Sequence, residues 1–162
     1  MRANVRAKRR EAGSFLLEAL IAILIVALGV LGSVGLLARS MQDIDDAKNR
    51  GEAAYLANWL IGQMWVSDRL TANLTANYDS TVGTGAGYTD FQSFVQQRLP
   101  NAALYNQDVT VAAGPNNGVN GTNSLVTITV RWLPPGECKV PPACTGATPH
   151  MYNITASIGA NQ

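Results

Sequence analysis

The sequence predicts an α+β protein: one long N-terminal helix, apolar in its first half and amphipathic in its second, packed on a small antiparallel sheet. Three observations predict it. An uncharged run of twenty residues extends from Ala19 to Ala38. No proline occurs between Ser14 and Leu99. The C-terminal third carries short runs in which apolar and polar residues alternate, the mark of strands with one buried face.

The first element begins after a short basic stretch holding Arg2, Arg6, Lys8, Arg9 and Arg10. Then come Gly13, four uncharged residues, the single carboxylate of Glu18, and the apolar run. Twenty helical residues cover about 30 Å, the hydrocarbon thickness of a bilayer. Residues 14–38 are therefore expected to span a membrane. Basic residues just ahead of the span predict a cytoplasmic N-terminus and an exported C-terminal domain. A secretory signal would carry its cleavage site after a shorter apolar region. Here the candidate site precedes the run, so the run stays with the mature chain. A plain uncleaved anchor is the simpler alternative.

Glu18 is the odd residue. A carboxylate in mid-bilayer costs roughly 2.5–3.5 kcal/mol on insertion scales, and less near a helix end. One reading has Glu18 snorkel to the headgroups. The sharper reading gives it a positive partner. Cutting the bond after Gly13 creates one, a free amine on Ser14, and makes Glu18 the fifth residue of the new chain.

Leader charge, Gly13, Glu18 and the span follow one another in the order of the class III signal of type IV prepilins, which this segment resembles. Ser14 stands where that family usually has Phe, and Phe15 comes second. The run from Phe15 to Ile25, with Leu28-Gly29-Val30-Leu31-Gly32, is similar to the N-terminus of PilV-type minor pilins, the type IV pilus modification proteins. Thr129 to Trp132, the cysteine-bearing loop and a closing strand resemble that group more loosely. The resemblance implies a type IV pilin-like fold. It implies cleavage between Gly13 and Ser14, and N-methylation of Ser14, by a prepilin peptidase/N-methyltransferase. It gives Phe15 and Glu18 roles in assembly. The implied partners are other minor pilins, the major pilin, the inner-membrane assembly machinery and membrane lipid. The implied location is the bacterial inner membrane, with the C-terminal domain periplasmic, and then the pilus. A minor pseudopilin of a type II secretion system shares this N-terminus and is the alternative.

Residues 1–13 are thus expected to be a disordered leader. Residues 39–70 continue the helix outside the membrane. Ala53, Leu56, Leu60 and Met64 recur at helical spacing and form one apolar face, flanked by Trp59 and Ile61. One helix is expected from about Phe15 to Leu70, with Trp59 and Trp65 as core anchors. Asp43, Asp45 and Asp46 read as a solvated face. Gly29, Gly32 and Gly35, with Ser33, mark a zone where helices approach closely in lipid.

Residues 71–108 form a connecting αβ-loop region. Within it, residues 71–90 are rich in Thr, Asn, Gly and Ser and read as a loop. A short helix is expected from Thr89 to Leu99, with Pro100 ending it. Residues 109–162 are the sheet. Val109 and Val111 mark one strand. Leu125 to Leu133 is the clearest, with Val126, Ile128, Val130 and Trp132 on one face. The last runs from Met151 to Ile158, with Tyr152, Ile154, Ala156 and Ile158 inward. Asn117-Gly118 and Asn120-Gly121 are turn signals between strands. One apolar sheet face against one apolar helix face is a sufficient core.

Cys138 and Cys144 are the only cysteines. With only His150 nearby, a structural zinc site lacks ligands. In an exported domain they are expected to form a disulfide, contributing on the order of 2 kcal/mol for so short a loop. His150 reads as a solvated loop residue.

Catalysis finds little support. There is one histidine in the chain. No nucleophile elbow, phosphate-binding loop or metal-ligand cluster occurs, and Gly83–Gly87 lacks the Lys such a loop needs. No enzyme activity and no cofactor are expected. The leader holds five of the twelve Lys/Arg but one of the eleven Asp/Glu. The remainder is net acidic, which argues against nucleic acid as a partner. A binding module of another class, a tip adhesin, would use the loops at 71–90 and 114–123.

Overall fold

The computed structural model describes residues 8–114, 123–138, 144 and 146–159, and residues 8–13 by their backbone alone. The elements run α1 (Lys8–Val66), α2 (Thr71–Tyr78), α3 (Ala86–Arg98), β1 (Asp108–Ala113), β2 (Asn123–Trp132) and β3 (His150–Gly159). Single 3-10 turns occur at Ala102–Leu104 and Pro135–Glu137. The chain divides into two compact units between Asp45 and Asp46. The architecture is α+β and pilin-like, a long N-terminal helix with a small three-stranded antiparallel sheet.

The first unit is helical from Lys8 onward. The expected disorder of the leader fails for residues 8–13, while residues 1–7 lie outside the described residues. Lys, Arg, Glu and Ala are all good helix formers, and extending an existing helix costs far less than starting one. From Phe15 to Ile44 every large apolar side chain is 50–73% exposed. A helix apolar all round and uncovered by its own chain belongs in lipid or among other helices. It is long and apolar enough to cross a membrane.

In the second unit, Ala53, Leu56, Ala57, Leu60 and Met64 are 2% exposed or less. They form one face of α1, and it packs on the sheet. The strands lie in the order β1-β2-β3, all antiparallel. The register sets Val109 opposite Ile128 and Ile128 opposite Ile154. Val126, Ile128, Val130 and Trp132 are fully buried, as their alternation predicts. Phe91 and Val95 of α3 and Leu74 of α2 complete the core.

Three expectations need correction. Residues 71–90 are not a loop. Leu74 and Tyr78 stand one helical turn apart and are both buried, and that packing makes a helix of a polar stretch. The glycines there serve close approach. A Cβ at Gly85 would run into the Asn77 carbonyl, and one at Gly87 into the Tyr78 ring. α3 accordingly starts at Ala86, three residues before the expected Thr89. Secondly, α1 stops at Val66 rather than Leu70. Ser67 Oγ donates to Met64 O, and the Asp68 carboxylate accepts from the Leu70 N–H, which closes the turn. Thirdly, Trp65 is no core anchor. It is 44% exposed, and the Arg69 guanidinium lies 5.4 Å from its ring centroid. Trp59 sits at the rim of the core, edge-to-face with Phe94 at 4.9 Å.

Two buried polar side chains of the connecting segment, Asp79 and Gln107, bind the backbone of the sheet. Asp79 Oδ1 accepts from the Thr81 N–H and hydroxyl, and Oδ2 from the Val111 N–H of β1. Gln107 Oε1 accepts from the Arg131 N–H at 2.6 Å, and its Nε2 donates to the Arg131 carbonyl at 3.2 Å. This side chain thus adds a rung beyond the end of β1. Burial pushes the Asp79 carboxyl up, but the hydrogen bonds from Thr81 and Val111 outweigh it and hold the group below its ordinary value. A lowered pKa contributes stability above the unfolded value, near 3.9, and that stability is lost as pH falls through the folded value. Acid titration followed by circular dichroism should show a loss below about pH 4 that Asp79→Asn removes. At pH 7 the variant should be less stable by about 1–3 kcal/mol, because its amide N–H₂ faces the Val111 N–H.

Candidate functional site

The candidate site is the start of α1. Gly13 and Ser14 are both helical, so the bond expected to be cut lies within regular helix. Ser14, Phe15 and Glu18 are exposed. Ser14 and Glu18 are four residues apart, one turn along the same face. If the chain began at Ser14, Glu18 would lie one turn from a helix N-terminus. That end carries unpaired N–H groups, the positive pole of the helix and a free amine, all of which favour a nearby carboxylate.

Gly29, Gly32 and Gly35 also lie on this exposed stretch. A Cβ added at any of them would meet nothing within 4 Å. The fold of the single chain therefore requires glycine at none of the three. Ser33 Oγ returns a hydrogen bond to the Gly29 carbonyl at 2.9 Å and so hides its own polarity.

Cys138 and Cys144 are joined, with their Cα atoms 4.7 Å apart. Pro141 and Pro142 of that loop lie outside the described residues. His150 is not a solvated loop residue. It opens β3, and its ring packs beside Trp132 at 5.9 Å between centroids. Its Nε2 is 2.9 Å from a Glu137 oxygen, and its Nδ1 is 3.8 Å from Asp46. Asp46 stays half-exposed while facing His150, and Asp43 and Asp45 are exposed. Glu137 adjoins Cys138, so this contact fixes the entrance of the disulfide loop against β3. Among the described residues, no group of three His, Cys, Asp or Glu side chains is placed to hold a metal ion.

Sequence reasoning missed a shallow aromatic site. Tyr55, Leu56 and Trp59 of α1, with Phe94 and Arg98 of α3, line a cavity of about 160 Å³. Arg98 is held by Glu52 at 2.8 Å and lies 5.7 Å from the Tyr55 centroid. The partners are more than forty residues apart, beyond the reach of local periodicity. The first of the two loops expected as adhesin contacts is smaller than expected. Most of 71–90 is helical, with Leu74, Tyr78 and Tyr88 buried, and residues 115–122 lie outside the described residues.

No protein-family model, no curated protein and no solved structure matches this chain.

The glycine observation generates a test. Replacing Gly29, Gly32 and Gly35 together with Leu should leave the thermal unfolding of the detergent-solubilised protein within about 0.5 kcal/mol of wild type, the usual range for changes away from packed sites. Any contact between this helix and others in the membrane should weaken. Cross-linking in cells reads that contact.

Proposed function

We propose that the chain is a minor type IV pilin: a non-enzymatic subunit, cleaved after Gly13 and methylated at Ser14, that primes or caps pilus assembly and supports twitching and adhesion. The observation that carries this reading is Glu18, an exposed carboxylate one turn after Ser14 and at the mouth of twenty uncharged residues, nineteen of them exposed. The pairing runs between subunits. Each incoming chain has its carboxylate neutralised by a neighbour's amine. Its apolar helix leaves lipid for a bundle of like helices, and so changes environment little. Dispersion contacts and interhelical packing rather than the hydrophobic effect then hold the bundle, which suits a zone with three glycines.

On this reading the prepilin peptidase/N-methyltransferase acts at the cytoplasmic face of the inner membrane. The other partners are minor pilins, the major pilin and the assembly machinery. No cofactor enters. The exported domain, stapled by Cys138–Cys144, gives the subunit its outward surface.

The pairing is tested by Glu18→Val. The variant should still be processed, because the scissile bond and leader are untouched. Its recovery in sheared filaments should fall tenfold or more, the equivalent of about 1.4 kcal/mol per subunit. Wild-type recovery would overturn the pairing. Deleting the gene separates the two filament readings: loss of twitching supports a pilus, and loss of protein secretion supports a secretion pseudopilus.

A further inference from the structure

The two edges of the sheet differ. The β1 edge is closed by the segment after α2. Asp79 accepts from the Val111 N–H at 2.9 Å, the Ser80 N–H donates to the Val109 carbonyl at 2.8 Å, and Ser80 Oγ accepts from the Val109 N–H at 3.2 Å. β3, ten residues long, pairs with β2 on one side. Among the described residues no backbone hydrogen bond reaches its other side.

The side chains of β3 are also incompletely covered. On β2, Val126, Ile128 and Val130 are fully buried. Their cross-strand partners Ala156, Ile154 and Tyr152, facing the same core, are only half-buried. Natural edge strands are blunted by Lys, Pro, a bulge or a covering segment. β3 reads His-Met-Tyr-Asn-Ile-Thr-Ala-Ser-Ile-Gly, with no Lys, Arg, Asp, Glu or Pro. Its register with β2 is unbroken from Trp132↔His150 to Asn123↔Gly159, so no bulge interrupts it.

We infer that the outer edge of β3 is an interaction surface that receives one extended, uncharged strand from a different exported protein, with an apolar residue at every second position. The alternation follows from the two faces the strand would meet. Its inward residues would cover Tyr152, Ile154 and Ala156. Its outward residues would extend the polar ladder made by Thr127–Thr155, Thr129–Asn153 and Asn123–Ser157. Main-chain pairing supplies affinity and the alternate side chains supply selection, as in strand addition generally.

A second copy of this chain fits poorly. Its β1 edge is closed, so it offers only its own β3. An antiparallel β3–β3 pair is related by a twofold axis normal to the sheet, which reverses the Asp46–Val66 helix of one copy against the other. The chain enters the second unit at Asp46, so such a pair takes in its two chains at opposite ends, whereas chains anchored in one membrane enter from one side. A parallel twofold pair puts the two cores on opposite faces of the joined sheet. The closed β1 edge also makes the addition self-limiting, one strand per chain. The inference goes beyond the pilus reading and does not depend on it, since it needs only a membrane anchor ahead of Asp46 and a second unit outside that membrane.

The test is amide hydrogen exchange by NMR on the full chain in detergent micelles. The probe is a capped peptide as long as β3 that alternates Val and Thr, and the control has Lys at every Val. In the chain alone, alternate amides between Met151 and Ile158 should exchange about a hundredfold faster than those of β2, as unpaired edge groups do. The Val/Thr peptide should slow them at least about tenfold and the Lys peptide should not. Ala156→Lys, a charge turned inward at the edge, should abolish the slowing, and Ser157→Lys, on the outer face, should keep it. Uniform protection without peptide, slowing by neither peptide, or equal slowing by both would overturn the inference. Protection that rises with protein concentration alone would overturn the choice of partner and assign the edge to a second copy.

Discussion

An ionised carboxylate in hydrocarbon needs a compensating charge, and Glu18 sits at the mouth of twenty residues that offer none. The five basic residues of the leader precede it, and the nearest basic residue after it is Arg39. Arg10 lies eight residues before Glu18, about 12 Å along a helix, so it cannot pair with it within the chain. What the local sequence offers instead is the Gly13–Ser14 bond, whose hydrolysis would place an amine one turn away. The exposure of the whole apolar stretch follows the same logic. A stretch exposed all round within its own chain suits cover from outside, by lipid or by other helices.

The second unit obeys different rules. Its core is small: one face of α1, one face of a three-stranded sheet, and a few side chains from α2 and α3. A domain of this size has little apolar area to spare, so an unpaired buried polar group is costly, and the Trp132 Nε1–H is one such group among the described residues. Asp79 and Gln107 are paired: Asp79 binds a β1 N–H that a further strand would otherwise bind, and Gln107 binds β2 backbone beyond the end of β1. The disulfide and the His150–Glu137 contact secure the one long excursion between strands. The result is a sheet whose β1 edge is closed and whose β3 edge, among the described residues, is not.

The parts legible in the sequence were those governed by local periodicity. The twenty uncharged residues, the Ala53–Met64 stripe and the alternation of β2 and β3 each announce their structure within a dozen residues. The two cysteines, six apart, needed only the inference of an oxidising compartment. The failures share a cause. Thr71–Tyr78 is polar and lacks a cap, and it is helical because Leu74 and Tyr78 find a core made by distant strands. Gly85, in the turn before α3, and Gly87, within α3, are points where the chain presses against α2. His150 reads as solvated because its partners, Asp46, Trp132 and Glu137, come from three separate elements. Asp79 carried one usable signal, since Asp-Ser-Thr is a side-chain-to-backbone turn sequence. Gln107 carried none. At the candidate site, the spacing of Gly13, Ser14 and Glu18 was read directly, because that site is a single helical turn.

The account stands on one covalent event. Intact-mass and N-terminal analysis of the protein purified from the cells that make it tests this directly. The account predicts a mature chain that begins at Ser14, methylated on its amine, with the thirteen leader residues gone. A working protein that retains residues 1–13 would contradict it and leave Glu18 without the partner the assembly mechanism requires.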